Sequence, residues 1–106
     1  MVKLISVERS TNKRKKYQAL FKDDVGEWYV DFGAAGMSDY TIHKDKERRE
    51  RYILRHLKDL STNDPTRAGY LSMFVLWNKP SLKGSIADYR KRLAIYNKTG
   101  RFPKDI

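Results

Sequence analysis

The sequence predicts an α+β fold: a three-stranded antiparallel meander followed by two to three helices packed on the sheet. Two patterns carry that expectation. Apolar residues alternate in three short segments of the first third, and from residue 45 onward they recur at helical spacing. The length of 106 residues allows one modest core and is too short for two, so 1–106 reads as a single domain. Within it, 1–32 is the meander, 33–43 a junction and 44–100 the helical part.

The strands come first. Residues 2–8 (VKLISVE), 16–22 (KYQALFK) and 27–32 (EWYVDF) alternate, with Tyr17, Ala19 and Phe21 on one face of the second segment and Trp28, Val30 and Phe32 on one face of the third. The connections RSTNKRKK and DDVG hold the Asn, Asp and Gly that hairpin turns favour. A meander alone needs cover on at least one face. Over residues 45–60, Ile53, Leu57 and Leu60 have helical spacing behind two charged turns, so this helix is expected to pack only by its second half. After the breaker DPTRAG, YLSMFVLW is apolar nearly all round and reads as a short buried helix, with a buried strand as the alternative. Leu82, Ile86, Tyr89, Leu93 and Tyr96 then mark the clearest helix, with Asn78 and Pro80 at its start and Gly100 near its stop.

Charge is the strongest global property. The chain has 23 Lys and Arg against 13 Asp and Glu, a formal net charge of +10, and a pI near 9.9. With 40% hydrophobic and 12% aromatic residues, that charge belongs to a folded surface rather than to a disordered tail. Such a surplus attracts polyanions, nucleic acid first and an anionic membrane second. Cysteine is absent, which excludes thiolate zinc sites, cysteine nucleophiles and disulfides and fits a reducing compartment. The opening MVKLISV is too short for a signal peptide, and the longest uncharged run, residues 68–78, is well under the roughly 18 residues of a membrane span.

The bases cluster in three places. Arg9, Lys13, Arg14, Lys15 and Lys16 sit in the first hairpin with no acid among them. Lys44, Lys46, Arg48, Arg49, Arg51, Arg55 and Lys58 lie on the first helix, where residues 44–58 hold seven bases and three acids. Arg90, Lys91 and Arg92 lie on the last helix. A hairpin tip projects its side chains toward a phosphate backbone at little cost in packing. On the first helix Glu47 with Arg51, and Glu50 with Lys46 or Arg49, can pair for roughly 0.2–0.5 kcal/mol each, which still leaves arginines for phosphates. The expected nucleic-acid contacts are therefore Lys13, Arg14, Lys15 and Lys16, supported by Arg48, Arg49, Arg51, Arg90 and Arg92. No base-reading signature accompanies them, so contact should be electrostatic and sequence-tolerant.

Between sheet and helices, Gly33-Ala-Ala-Gly36 matches neither the dinucleotide fingerprint nor the P-loop. Its glycines read as permitting a tight turn or a close backbone approach. Asp39, His43 and Asp45 could bind a divalent metal or activate water for phosphodiester cleavage, but two-metal sites usually take a further acid from another element, and none is identified. Asp39 or Thr41 could equally cap a helix, with Asp45 and Glu47 complementing its positive end. His56, beside the apolar stripe, reads as a packed or half-exposed residue rather than a ligand. No catalytic residue, metal site or cofactor is expected.

Two segments, FGAAGMSDYTIHKDKERRERYILRH and LWNKPSLKGSI, resemble the signature of an uncharacterised family of short basic proteins of nucleocytoplasmic large DNA viruses, the marseilleviruses and other giant viruses among them. Phe32, Gly33, Ala34, Ala35, Gly36, Ser38, Asp39, Tyr40, Thr41, His43, Lys44 and Asp45 stand in the family's order, and Trp77, Asn78, Lys79 and Pro80 repeat its second motif. Leu71, Met73 and Phe74 depart from it where Trp, Arg and Trp are expected, as does Met37 where an aromatic is common. The resemblance implies a viral protein, carried in the virion and found in the host cytoplasm or nucleus during infection, and brings no activity with it.

The expectation is thus a non-catalytic, sequence-tolerant nucleic-acid-binding protein that neutralises or compacts a viral genome, with DNA as its partner. The alternative is a virion structural or interaction protein acting through a homodimer or partner surface. A metal-dependent nuclease centred on Asp39, His43 and Asp45 stands third.

Overall fold

The alternating segments form β1 (Lys3–Arg9), β2 (Lys15–Lys22) and β3 (Glu27–Ala34), an antiparallel sheet in the order β1-β2-β3, in a computed structural model that describes residues 1–106. Tyr17 stands opposite Phe32, Ala19 opposite Val30 and Phe21 opposite Trp28, so the two apolar stripes merge into one face. Their rings meet across the strands, Phe21 on Trp28 at 5.7 Å and Tyr17 by Phe32 at 6.0 Å between centroids. In β1 a register shift between Leu4 and Ser6 inserts one residue. Leu4 and Val7, three apart, therefore oppose the core-side residues Phe21 and Ala19, while Ile5 is left exposed. Asp23 shapes the second turn, its Oδ1 accepting from the amides of Val25 and Gly26.

Four helices follow: α1 (Tyr40–His43), α2 (Lys46–His56), α3 (Ala68–Leu71) and α4 (Leu82–Thr99). A 3₁₀ turn, Leu57–Leu60, extends α2, and a π-helical turn, Ser72–Leu76, extends α3. The apolar run is thus helical and buried, from Tyr70 through Trp77 with only Ser72 partly open. In α4, Tyr89 and Leu93 are buried and Leu82, Ile86 and Tyr96 pack partly buried against the core. Gly100 ends the helix in the left-handed conformation, φ 78°.

Within the junction β3 runs on to Ala34, and Asp39, one of the two caps the sequence offers, caps the short α1. Two boundary expectations need correction. On α2 the inward side is Arg49, Tyr52, Ile53 and His56, with Leu60 beyond, whereas Leu57 is 48% exposed. The 3₁₀ turn tightens the winding after His56 and swings Leu57 outward. Nor does Pro80 start α4. Ser81 does, its hydroxyl accepting from Gly84 N at 3.0 Å, a bond that proline has no group to make.

The core also contains a residue with no sequence pattern behind it. Phe102, past the end of α4, is buried against Tyr70, Phe74 and Tyr89, with centroids 5.4, 4.9 and 5.5 Å away. One cluster of 16 buried apolar residues joins the sheet, the helices other than α2, and this tail.

Candidate nucleic-acid interface

The tip of the first hairpin is built by short polar bonds. Ser10 Oγ donates to Asp31 Oδ1 and accepts from Asn12 N, while Asn12 Oδ1 accepts from Arg14 N. These bonds fold residues 10–14 tightly and leave Lys13, Arg14 and Lys15 exposed, none of them paired with a carboxylate. The backbone of Arg14 also takes the amide of Ala35 at 3.0 Å, which ties the glycine turn to the hairpin.

That turn needs its first glycine for two reasons. Gly33 has φ 78°, and a Cβ there would lie 2.8 Å from Leu76 Cδ1 and 3.1 Å from Lys16 Cβ. Gly36 has φ 82° but open space around it. The chain then reaches Asp39, whose side chain is 2% exposed and caps α1 by accepting from Thr41 N. Its other oxygen is held by Lys16 Nζ at 2.5 Å, which also donates to Met37 O at 2.6 Å.

α2 begins at Asp45, whose Oδ1 accepts from the amides of Glu47 and Arg48. Arg48, Arg51 and Arg55 follow at i, i+3 and i+7 and line a cavity of about 500 Å³, closed on its other sides by Gly33, Ala34 and residues 37–39 and by Ser72, Leu76 and Trp77. A second cavity, about 570 Å³, lies between the hairpin and the glycine turn and is lined by Arg9, Lys13, Lys15, Tyr17 and Ile42. Lys16, Met37 and Ser38 line both. The two cavities thus abut as one groove with bases on either side. Seven basic side chains border it against a single carboxylate, Asp39, already neutralised by Lys16.

The structure divides the expected contacts. Lys13 and Lys15 from the hairpin and Arg48 and Arg51 from α2 come together on the groove, with Arg14 at the tip beside it. Glu47 makes only an exposed 4.0 Å pair with Arg51, and such pairs contribute little. Four others are occupied within the fold. Lys16, partly buried, is paired with Asp39, and Arg49 Nε donates to Asn78 O at 2.9 Å with its guanidinium over the Tyr40 ring. Arg90 donates to Leu4 O and Ile5 O, covering the carbonyls at the β1 bulge. Arg92 donates to Asp88 at 2.7 Å and to Pro103 O at 2.8 Å, and lies 4.9 Å over the Phe74 ring. Burial alone would raise the Asp88 carboxyl, but hydrogen bonds from Arg92 and Asn78 hold it below the usual carboxylate range. These four serve the fold, because a guanidinium or ammonium that turned to a phosphate would give up these internal bonds, most of them part-buried.

Arg55 and Arg9 also border the groove. Both stand in the basic clusters, but sequence spacing does not show which face of a helix or hairpin borders a cavity. The wall of aromatic rings was less legible still. Tyr52 stacks on Trp77 at 4.3 Å and 4° and on His56 at 4.2 Å and 26°, joining α2 to the end of the π-helical turn. Burial pushes the Tyr52 hydroxyl up to about 12.

Asp39, His43 and Asp45 have separate tasks. Asp39 and Asp45 cap successive helices, and His43 Nδ1 accepts from Asp45 N at 2.9 Å. No group of three or more His, Cys, Asp or Glu side chains is placed to hold a metal ion. His56 Nδ1 lies 3.0 Å from Asp59 Oδ2, half-exposed. No helix is long and apolar enough to cross a membrane.

A family model described as a family of unknown function, DUF5754, matches residues 5–56. That segment runs from Ile5 within β1 through the rest of the sheet, the glycine turn, α1 and α2, and so holds the groove's basic side chains. The WNKP motif lies outside it. No curated protein and no solved structure matches the chain.

Proposed function

We propose that the protein binds nucleic acid through the phosphate backbone, without sequence preference, and serves to neutralise or compact the genome of a large DNA virus. The observation that carries this reading is the groove, where Lys13 and Lys15 border one half, Arg48, Arg51 and Arg55 border the other, and the one acid on it, Asp39, is neutralised by Lys16. Side chains on such a groove gain phosphate contacts and give up almost no internal bonds, which makes binding electrostatic and tolerant of sequence. The viral setting rests on the resemblance of residues 32–56 and 68–86 alone. Mobility shift with random-sequence duplex and single strands at low salt tests the reading: a shift supports it, and no shift with either ends it.

A second reading has one observation in its favour. Tyr29 is 62% exposed and stands opposite the half-buried Leu20, while Ile5 of β1 is 44% exposed. An aromatic and aliphatic surface of this kind suits a homodimer or a virion partner. Sedimentation separates the two: a stable oligomer indifferent to added DNA favours assembly over nucleic-acid binding.

A further inference from the structure

The cavity beside α2 differs from the hairpin half of the groove because it has a floor as well as a rim. Trp77, Tyr52 and His56 are stacked edge of core to surface, and all three line it together with Leu76. Trp77 is 9% exposed, so the stack begins at the core. His56, at the outer end, is held by Asp59, and its imidazole is 39% exposed. Above this wall stand Arg48, Arg51 and Arg55 on one face of α2.

We propose that this cavity takes an unpaired base, so that the groove's preferred ligand is a single-stranded nucleic acid rather than a duplex; the inference rests on the nucleic-acid reading and refines it. A duplex turns its bases inward and offers a groove of this size only phosphates. Its contact would end at the rim and leave the aromatic wall unused. A single strand places its phosphates on the arginines and can stack a base on the outer face of His56, the end of the stack, since Trp77 and His56 already cover the two faces of Tyr52. The space of about 500 Å³ is within the range of small-ligand pockets. Base-on-aromatic stacking tolerates any sequence, as the phosphate contacts do. The wall is already ordered by its own stacking, so little freedom remains to be lost on binding. The chain continues along Met37 and Ser38 into the hairpin half of the groove, where Lys13 and Lys15 meet the next phosphates.

Two measurements test this. In the first, the affinities of oligo-dT and oligo-U are compared with that of a blunt duplex of equal length at one salt concentration, for the native chain and for His56→Ala. Both single strands should bind more tightly than the duplex. His56→Ala should lose about tenfold for single strands, the scale of one lost stack, with duplex affinity unchanged. In the second, Trp28→Phe leaves Trp77 the sole tryptophan, and oligo-dT or oligo-U should change its fluorescence where duplex does not. Equal binding of duplex and single strands, with no response from Trp77, overturns the single-strand assignment and leaves the phosphate reading standing. Binding to neither overturns both.

Discussion

Gly33 and Lys16 show how single residues set the groove's shape. At Gly33, an alanine meets both the left-handed backbone and the buried Leu76, whereas at Gly36 it meets only the backbone. The backbone penalty is about 1–2 kcal/mol at either position, and crowding in a packed core adds about 1–3 kcal/mol at Gly33. Thermal or urea unfolding should therefore show Gly33→Ala clearly less stable than Gly36→Ala; equal effects would mean that Leu76 moves aside freely. Lys16 adjoins the hairpin lysines in the chain. Its Nζ instead neutralises a carboxylate that is 2% exposed. Lys16→Met should destabilise by about 3 kcal/mol by stranding that charge, and Lys16→Met with Asp39→Asn should recover part of the loss. A Lys16→Met melt identical to the native one would place Lys16 back among the surface bases.

Two elements pivot on the joint between α1 and α2. Lys44, in the left-handed conformation at φ 56°, ends one helix, and Asp45 starts the next. His43 fills the corner against Tyr40 and Trp77. Partial burial lowers its pKa from the usual 6.5, with the Arg48 charge acting in the same sense and Asp45 and Asp39 opposing. Since the unfolded chain takes up the proton first as pH falls, this contribution to stability is intact above 6.5 and is lost toward the lower folded value. Melting temperature should drop between pH 7 and 5.5, and His43→Asn should drop less; parallel profiles would remove His43 as the cause. β2, β3 and α4 could be read from periodicity because each keeps one face against the core. α2 could be read only in outline, since its packed side is Arg49, Tyr52 and His56 as much as Ile53, and amphipathic side chains bury their stems without an apolar pattern. The β1 bulge and the buried Phe102 are set by tertiary contacts with Arg90 and the aromatic cluster, which no local window contains.

At the scale of the molecule, the net charge of +10 divides into bases that hold the fold and bases that border the groove. Composition shows the surplus but not the division. Arg90 and Arg92 look as available in the sequence as Arg48 and Arg51, until α4 is placed against the β1 edge and the C-terminal tail. The groove joins the hairpin to α2 across residues that are 33 or more positions apart in the chain, as Lys15 and Arg48 are. The most direct test of phosphate binding by this groove is the slope of log binding constant against log salt for random-sequence DNA. Replacing Lys13, Lys15, Arg48 and Arg51 with glutamine should flatten that slope by about 2–4, at roughly 0.7–0.9 per lost phosphate contact, while the fold remains intact. An unchanged slope in that variant would contradict the account.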